Sequence, residues 1–339
     1  MGIFIRTDSS IEIGTGHVMR CLTFANKERA AGNQVSFICR KAKGDSINFI
    51  KENGFSVYEL PFVEESLWSY TEMNWEIDAK QTIEIINQFT VDKLVVDHYS
   101  LDEKWESKMR KFVKEIFVID DLANRPHNCD ILLDQNFYLN MSSRYNGLVS
   151  EGTKLLLGPK HALLRDEFVL ARKYLKKFNG KLERLFIFFG GSDPTNETEK
   201  VVRAIAPIIK KYEIKADVIV GKSNPNKKKI KQLCELSSNF TYYCQINNVA
   251  ELMAKADLAI GAGGTTTWER AYLSLPSIVI AVADNQVEIA NALNEKGIIY
   301  FLGLSQEINE SIIISALQKI ITDVTFLNES KANCIQLFK

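Results

Sequence analysis

The residues able to do chemistry sit in loops, not along the apolar runs. In "IGTGHVMRC", residues 13–21, Gly14, Thr15 and Gly16 let the backbone approach a ligand closely where a strand pattern gives way to a helical one. Free amides at such a helix start attract an anion. His17 follows directly and has two readings: it caps or packs in the first helical turn, or it faces the same ligand. A dinucleotide fingerprint would need a third glycine where Met19 stands and an acidic residue where Arg40 stands. NAD and NADP chemistry are therefore not expected, and neither is any other cofactor.

Two further glycine loops lie in the second half. In "FFGGSDPTNETEK", Gly190 and Gly191 allow a tight turn, Ser192 or Asp193 suits an N-cap, and Pro194 suits a first helical position. In "GAGGTTTWERA", Gly263, Gly264, Thr265 and Thr266 offer amide and hydroxyl donors fit for a diphosphate, without the Lys and Ser/Thr pair of a nucleoside triphosphatase loop. Glu269, one turn on, is placed to accept ribose hydroxyls or serves only as a surface or capping residue. In "ADNQVEI", Asn285 and Gln286 suit sugar substituents, whereas Asp284 or Asn285 equally suits a helix N-cap.

"VVDHYS" carries Asp97, His98 and Tyr99 at a strand end, and "IDDLANRPHNCD" carries Asp120, Asp121, His127, Cys129 and Asp130. These types could bind a metal, yet no H-E-x-x-H or C-x-x-C spacing fixes a geometry. They are read as strand-end polar residues that order a cleft, and no metal is expected.

Positioning these loops requires a sheet with helices between its strands. Short apolar runs near 2–7, 34–39, 56–60, 93–97 and 116–119 alternate with helical patterns, and Val18, Cys21, Leu22 and Ala25 form one helical stripe. Short runs at 131–133 and 154–157 follow, then a charged helical stretch over 163–178. A second series begins at 185–189 and continues through 217–220, 240–243, 258–260, 277–282 and 298–302. Its first helix carries Val201, Val202, Ile205, Ile208, Ile209 and Tyr212 on one stripe. The expected fold is α/β, with two Rossmann-like parallel-sheet domains facing across a cleft: an N-terminal domain at 1–160, a helical linker at 161–180 and a C-terminal domain at 181–339.

The 339 residues suit two domains of roughly 150 each. With 42 basic and 42 acidic residues, nucleic acid is not a favoured partner, and the Lys227–Lys231 cluster reads as a solvated helix face. Six cysteines without a C-x-x-C pair read as reduced core thiols. The chain opens on a strand pattern, so no leader is expected, and its longest uncharged apolar run, 278–283, is too short to span a bilayer. A cytoplasmic protein without membrane insertion is expected.

Taken together and in order, "RTDSS", "IGTGHVMRC", "VVDHY", "IDDLANRPHNCDILLDQN", "LLGPKHALLRDEF", "FFGGSDPTN" and "GAGGTTTWERAYLSLPSI" followed by "DNQ" resemble the PseG/SpsG family. Its type is the UDP-2,4-diacetamido-2,4,6-trideoxy-β-L-altropyranose hydrolase of pseudaminic acid synthesis. More distantly, the glycine loops resemble the MurG glycosyltransferases of the GT-B fold. The resemblance implies that a UDP-sugar is the partner, that UDP lies on the C-terminal domain, and that Gly190, Gly191, Ser192, Gly264, Thr265 and Thr266 hold its diphosphate and Glu269 its ribose. It implies further that His17 is the catalytic base, that Tyr99 assists it and that Asn285 contacts the sugar, with no metal; no oligomer is expected to be required. With His17 taking a proton from water that attacks the anomeric carbon, inversion at that carbon is expected. The chain stops soon after its last helical pattern, so no fused acetyltransferase is expected, and the sugar is open because spore-coat members match as well.

Overall fold

Apolar runs bounded by Gly, Pro, Asn or Asp become thirteen strands, all paired in parallel. The computed structural model describes residues 1–339. Its contacts separate one unit of residues 1–136 and 140–163 from a second of residues 137–139 and 164–339.

The first unit contains β1 (Gly2–Thr7), β2 (Gln34–Arg40), β3 (Ser56–Leu60), β4 (Val91–Asp97), β5 (Val113–Ile119), β6 (Ile131–Asp134) and β7 (Lys154–Leu157). Their order is β3-β2-β1-β4-β5-β6-β7. The strands are apolar on both faces because both are covered. Ile3, Ile5, Phe37 and Val95 pack against Val18, Cys21 and Leu22 of the helix Gly16–Ala30. Phe4, Ile38, Leu94 and Val96 pack on the other side with Ile86, Trp105 and Met109. The order reverses between β1 and β4, where Thr7 pairs with Asp97. The loops leaving these two strands therefore diverge at a topological switch point, the place where such sheets bind ligands.

The second unit repeats this plan with β8 (Arg184–Phe188), β9 (Lys215–Val220), β10 (Phe240–Cys244), β11 (Leu258–Ala262), β12 (Ser277–Ala281) and β13 (Ile299–Leu304). Their order, β10-β9-β8-β11-β12-β13, reverses between β8 and β11. Those two strands feed the two glycine loops. The helix Glu197–Lys211 buries Val201, Val202, Ile205, Ile208 and Ile209 against the sheet. Tyr212, expected on the same stripe, lies just past the helix end and is 37% exposed.

The stretch read as a helical connector forms only the helix Asp166–Ala171 and a single 3-10 turn, Arg172–Tyr174. Leu175 turns to extended backbone, and Phe168 is fully buried with Phe186, Leu252 and Met253. The segment is thus part of the second unit's core. None of the six cysteines is in a disulfide; five are buried and Cys244 is exposed. Lys229 of the basic cluster pairs with Glu199 at 2.8 Å on a solvated helix face. No helix is long and apolar enough to cross a membrane.

Candidate functional site

In the first unit the loop after β1 folds back on itself. The Gly14 amide donates to Ser10 O at 2.9 Å and the Ile13 amide to Ser10 Oγ at 3.1 Å. Gly14 has φ +76°, which favours glycine. A Cβ at Gly16 would meet no atom within 4 Å, so packing does not demand glycine there. Thr15 makes no capping bond, and no acidic residue stands in the first turn of the helix.

His17 is buried, and its Nδ1 lies 2.5 Å from Asp97 Oδ1 at the end of β4. The same carboxylate accepts Arg20 Nε and Nη2, both at 2.6 Å, and Cys21 Sγ at 3.4 Å. Arg20 Nη1 continues to Asp121 Oδ2 at 2.8 Å. Burial alone would raise the Asp97 pKa, but the Arg20 guanidinium, aided by His17, holds it well below the usual carboxylate range. An ionised carboxylate only accepts hydrogen bonds. In the neutral imidazole Nδ1 therefore carries the ring proton, and Nε2 is the nitrogen with the lone pair. Tyr99 and Trp68 stand edge-on to the imidazole at 4.5 and 5.5 Å between ring centroids. Burial, reinforced by the Asp121 carboxylate, pushes the Tyr99 hydroxyl far above its ordinary value, so it stays protonated.

Apart from Asp121, the remaining histidines and carboxylates of "VVDHYS" and "IDDLANRPHNCD" hydrogen-bond elsewhere. His98 Nε2 donates to Asp8 at 3.0 Å while its Nδ1 accepts the Ser100 amide at 3.1 Å, and burial lowers its pKa. It is a neutral member of a buried network of Arg6, Asp8, Asp78 and Arg40. His127 Nδ1 pairs with Glu106 at 2.7 Å, Asp120 with Arg125 at 2.8 Å and Asp130 with Arg110 at 2.5 Å. Of the "IDDLANRPHNCD" residues only Asp121 reaches the His17 cluster. Spacing on the helix, His17 then Arg20, was a legible signal for this group. Trp68, brought in from the helix Leu67–Met73, offered none.

In the second unit, Gly190 has φ +92° and open space around it. Gly221 lies directly on the same turn: a Cβ there would fall 2.1 Å from Gly191 O, and Ser223 Oγ donates to that oxygen at 3.0 Å. Asp193 is buried, with φ +45°, and its two oxygens accept the amides of Glu197 and Thr198 at 2.9 Å each. The helix therefore starts at Glu197, three residues after Pro194. Asp193 fills the amides of Glu197 and Thr198, and the turn of Gly190, Gly191 and the exposed Ser192 lies ahead of them.

At the other glycine loop, Gln286 Oε1 accepts the amides of Gly263 at 3.2 Å and Val282 at 3.1 Å and so ties two strand ends together. Its Nε2 faces Gly264. Thr265 is exposed and Thr266 half-buried, opening the helix Thr266–Tyr272 without a side-chain cap. Glu269 is buried, with Oε1 held 2.9 Å from Arg165 Nε and Oε2 unpartnered. Burial pushes this carboxyl up against the pull of Arg165. Asn285 is exposed on the 3-10 turn Asp284–Gln286, and no side-chain capping bond forms there or at the next helix.

Comparison with known proteins matches residues 185–339 to the glycosyltransferase family 28 C-terminal domain. Among solved structures, MurG of Acinetobacter baumannii superposes with a TM-score of 0.66 at 14% identity, covering 99% of this chain and 94% of the other. The fold is thus GT-B-like, with two Rossmann-like parallel-sheet units. The spore coat polysaccharide biosynthesis protein SpsG of Bacillus subtilis is 24% identical, over 95% of this chain and 89% of its own. The UDP-2,4-diacetamido-2,4,6-trideoxy-β-L-altropyranose hydrolase of Campylobacter jejuni is 30% identical, over 88% of this chain and 97% of its own. With that identity sustained over nearly the full length of both chains, the protein belongs to the PseG/SpsG family, that of the UDP-2,4-diacetamido-2,4,6-trideoxy-β-L-altropyranose hydrolases.

Proposed function

We propose that this protein is a nucleotide-sugar hydrolase that releases UDP from a UDP-2,4-diacetamido-2,4,6-trideoxyhexose, in pseudaminic-type acid or surface polysaccharide synthesis. The observation that carries the reading is the buried His17–Asp97 pair, which leaves a basic imidazole nitrogen beside a glycine loop. His17 Nε2 takes a proton from water as the water oxygen bonds to the anomeric carbon. The bond from that carbon to the diphosphate oxygen breaks with its electron pair, so UDP leaves as an anion and the configuration inverts. A positioned base contributes about 10²- to 10⁴-fold. The diphosphate is already a good leaving group. Its developing charge is met by the amides of Gly190, Gly191 and Ser192 and of Gly264, Thr265 and Thr266, which act as preorganised dipoles. Glu269 receives the ribose hydroxyls through Oε2, Asn285 and the Gln286 amide reach the sugar, and Tyr99 holds the imidazole face. No step needs a metal or a cofactor.

The family 28 match favours one second reading, a MurG-like transferase in which an acceptor hydroxyl replaces water. Product analysis separates the two. Incubation with a panel of UDP-diacetamido-trideoxyhexoses should release UDP and free sugar in equal amounts with no acceptor present. Turnover that strictly requires an acceptor would overturn the hydrolase reading.

A further inference from the structure

The second unit buries one cation that its own carboxylates do not neutralise. Arg270 is 1% exposed. Its Nη2 donates to Ala262 O at 2.7 Å and to Thr267 Oγ1 at 3.1 Å, whereas Nε and Nη1 have no partner. The neighbouring Glu269 turns its Oε1 to Arg165 instead. Burial accordingly lowers the Arg270 pKa to about 10, with Glu269 only partly opposing the shift. A buried guanidinium left without a counter-charge is costly to the fold, which ordinarily neutralises such groups.

Its place in the sheet accounts for the missing counter-charge. Ala262 is the last residue of β11, and the carbonyl that Arg270 holds immediately precedes Gly263. Nη1 lies 2.6 Å from the point where a Cβ on Gly261 would stand, and Phe188 O, at the end of β8, lies 2.4 Å from the same point. Only glycine at 261 leaves room for the guanidinium. The charge therefore sits under the switch point between β8 and β11, at the root of both glycine loops. We propose that Arg270 is the buried cation of the anion site formed by these loops, a positioning residue that fixes the 262–266 loop and whose charge is neutralised when a nucleoside diphosphate binds. The inference rests on the UDP reading and adds to it the residue that makes the site selective for the diphosphate over the nucleoside.

The test compares the binding of UDP, uridine and inorganic pyrophosphate by calorimetry in wild type, Arg270→Lys and Arg270→Gln. Lysine keeps the charge; glutamine keeps a donor for Ala262 O without it. UDP and pyrophosphate affinity should fall at least tenfold in Arg270→Gln and stay within about threefold of wild type in Arg270→Lys, with uridine affinity unchanged in all three. Equal losses for UDP and uridine, or equal losses in both variants, would make Arg270 a structural tie only and overturn the proposal. Should Arg270→Gln not fold, Arg270→Lys beside wild type still decides: pyrophosphate must raise the melting temperature of both, and a shift lost in Arg270→Lys, or absent from wild type at millimolar pyrophosphate, overturns the proposal. Wild type that binds pyrophosphate but neither UDP nor uridine would sink the nucleotide reading and leave Arg270 standing. Wild type that binds UDP as tightly as its Arg270→Gln variant does would sink Arg270 alone.

Discussion

At the scale of single residues, the proposed chemistry rests on a carboxylate that sets a tautomer. Asp97 holds His17 through Nδ1 and is itself held by Nε and Nη2 of Arg20. Asp97→Asn presents an amide that donates as well as accepts, so the imidazole loses its fixed tautomer. Turnover should fall about 10²- to 10⁴-fold with UDP affinity unchanged, as measured by initial rates beside calorimetry. Asp134 makes a prediction of opposite character. Burial pushes its carboxyl up to about 7, although the Asn136 amide at 3.0 Å and Tyr145 at 3.1 Å both donate to it. Its folded pKa lies above the unfolded value, so the folded state binds the extra proton and this stabilisation is lost as pH rises from about 4 to 7. The melting temperature of wild type should therefore drop more between pH 5 and pH 8 than that of Asp134→Asn, by several °C. Parallel curves for the two proteins would contradict the assignment.

At the scale of elements, the helix Gly16–Ala30 opens on a glycine that packing does not demand and that the proposed function assigns to ligand approach. Ala at 16 would touch nothing and has the better helix propensity. Gly16→Ala should thus leave stability equal or about 0.5–1 kcal/mol higher while weakening substrate binding or turnover at least tenfold. A stabilised variant with full activity would show that no ligand approaches this backbone. Gly14→Ala differs, because φ +76° strains any side chain there and should lower the melting temperature. Much of this level was legible in the sequence. Parallel strands covered on both faces read as continuous apolar runs, and the glycine loops follow them directly. The helix after Gly190 and Gly191 was less so: Pro194 fits a first helical position, but Asp193 spends both oxygens on Glu197 and Thr198 and delays the start.

At the scale of the whole molecule, the same design occurs twice, and in each unit glycine loops leave the strands at its own strand-order reversal. That placement could be anticipated from the alternation of strand and helix patterns. The partners that complete each site could not, because crossover connections bring them from far along the chain. Trp68 reaches His17 across 51 positions, Arg165 reaches Glu269 across 104, and Gly221 closes on Gly191 across 30. Arg20 and Asp97 fall between these cases: the first shares a helix face with His17, while the second needed the pairing of β1 with β4 to become its neighbour. The central claim, that His17 activates water at a UDP-sugar, is tested most directly by His17→Asn. UDP affinity and turnover of a UDP-2,4-diacetamido-trideoxyhexose are measured together, with the anomeric configuration of the product followed by NMR. The account predicts unchanged UDP affinity, an inverted product from wild type and turnover reduced at least 10²-fold in the variant. Wild-type turnover in His17→Asn would contradict it.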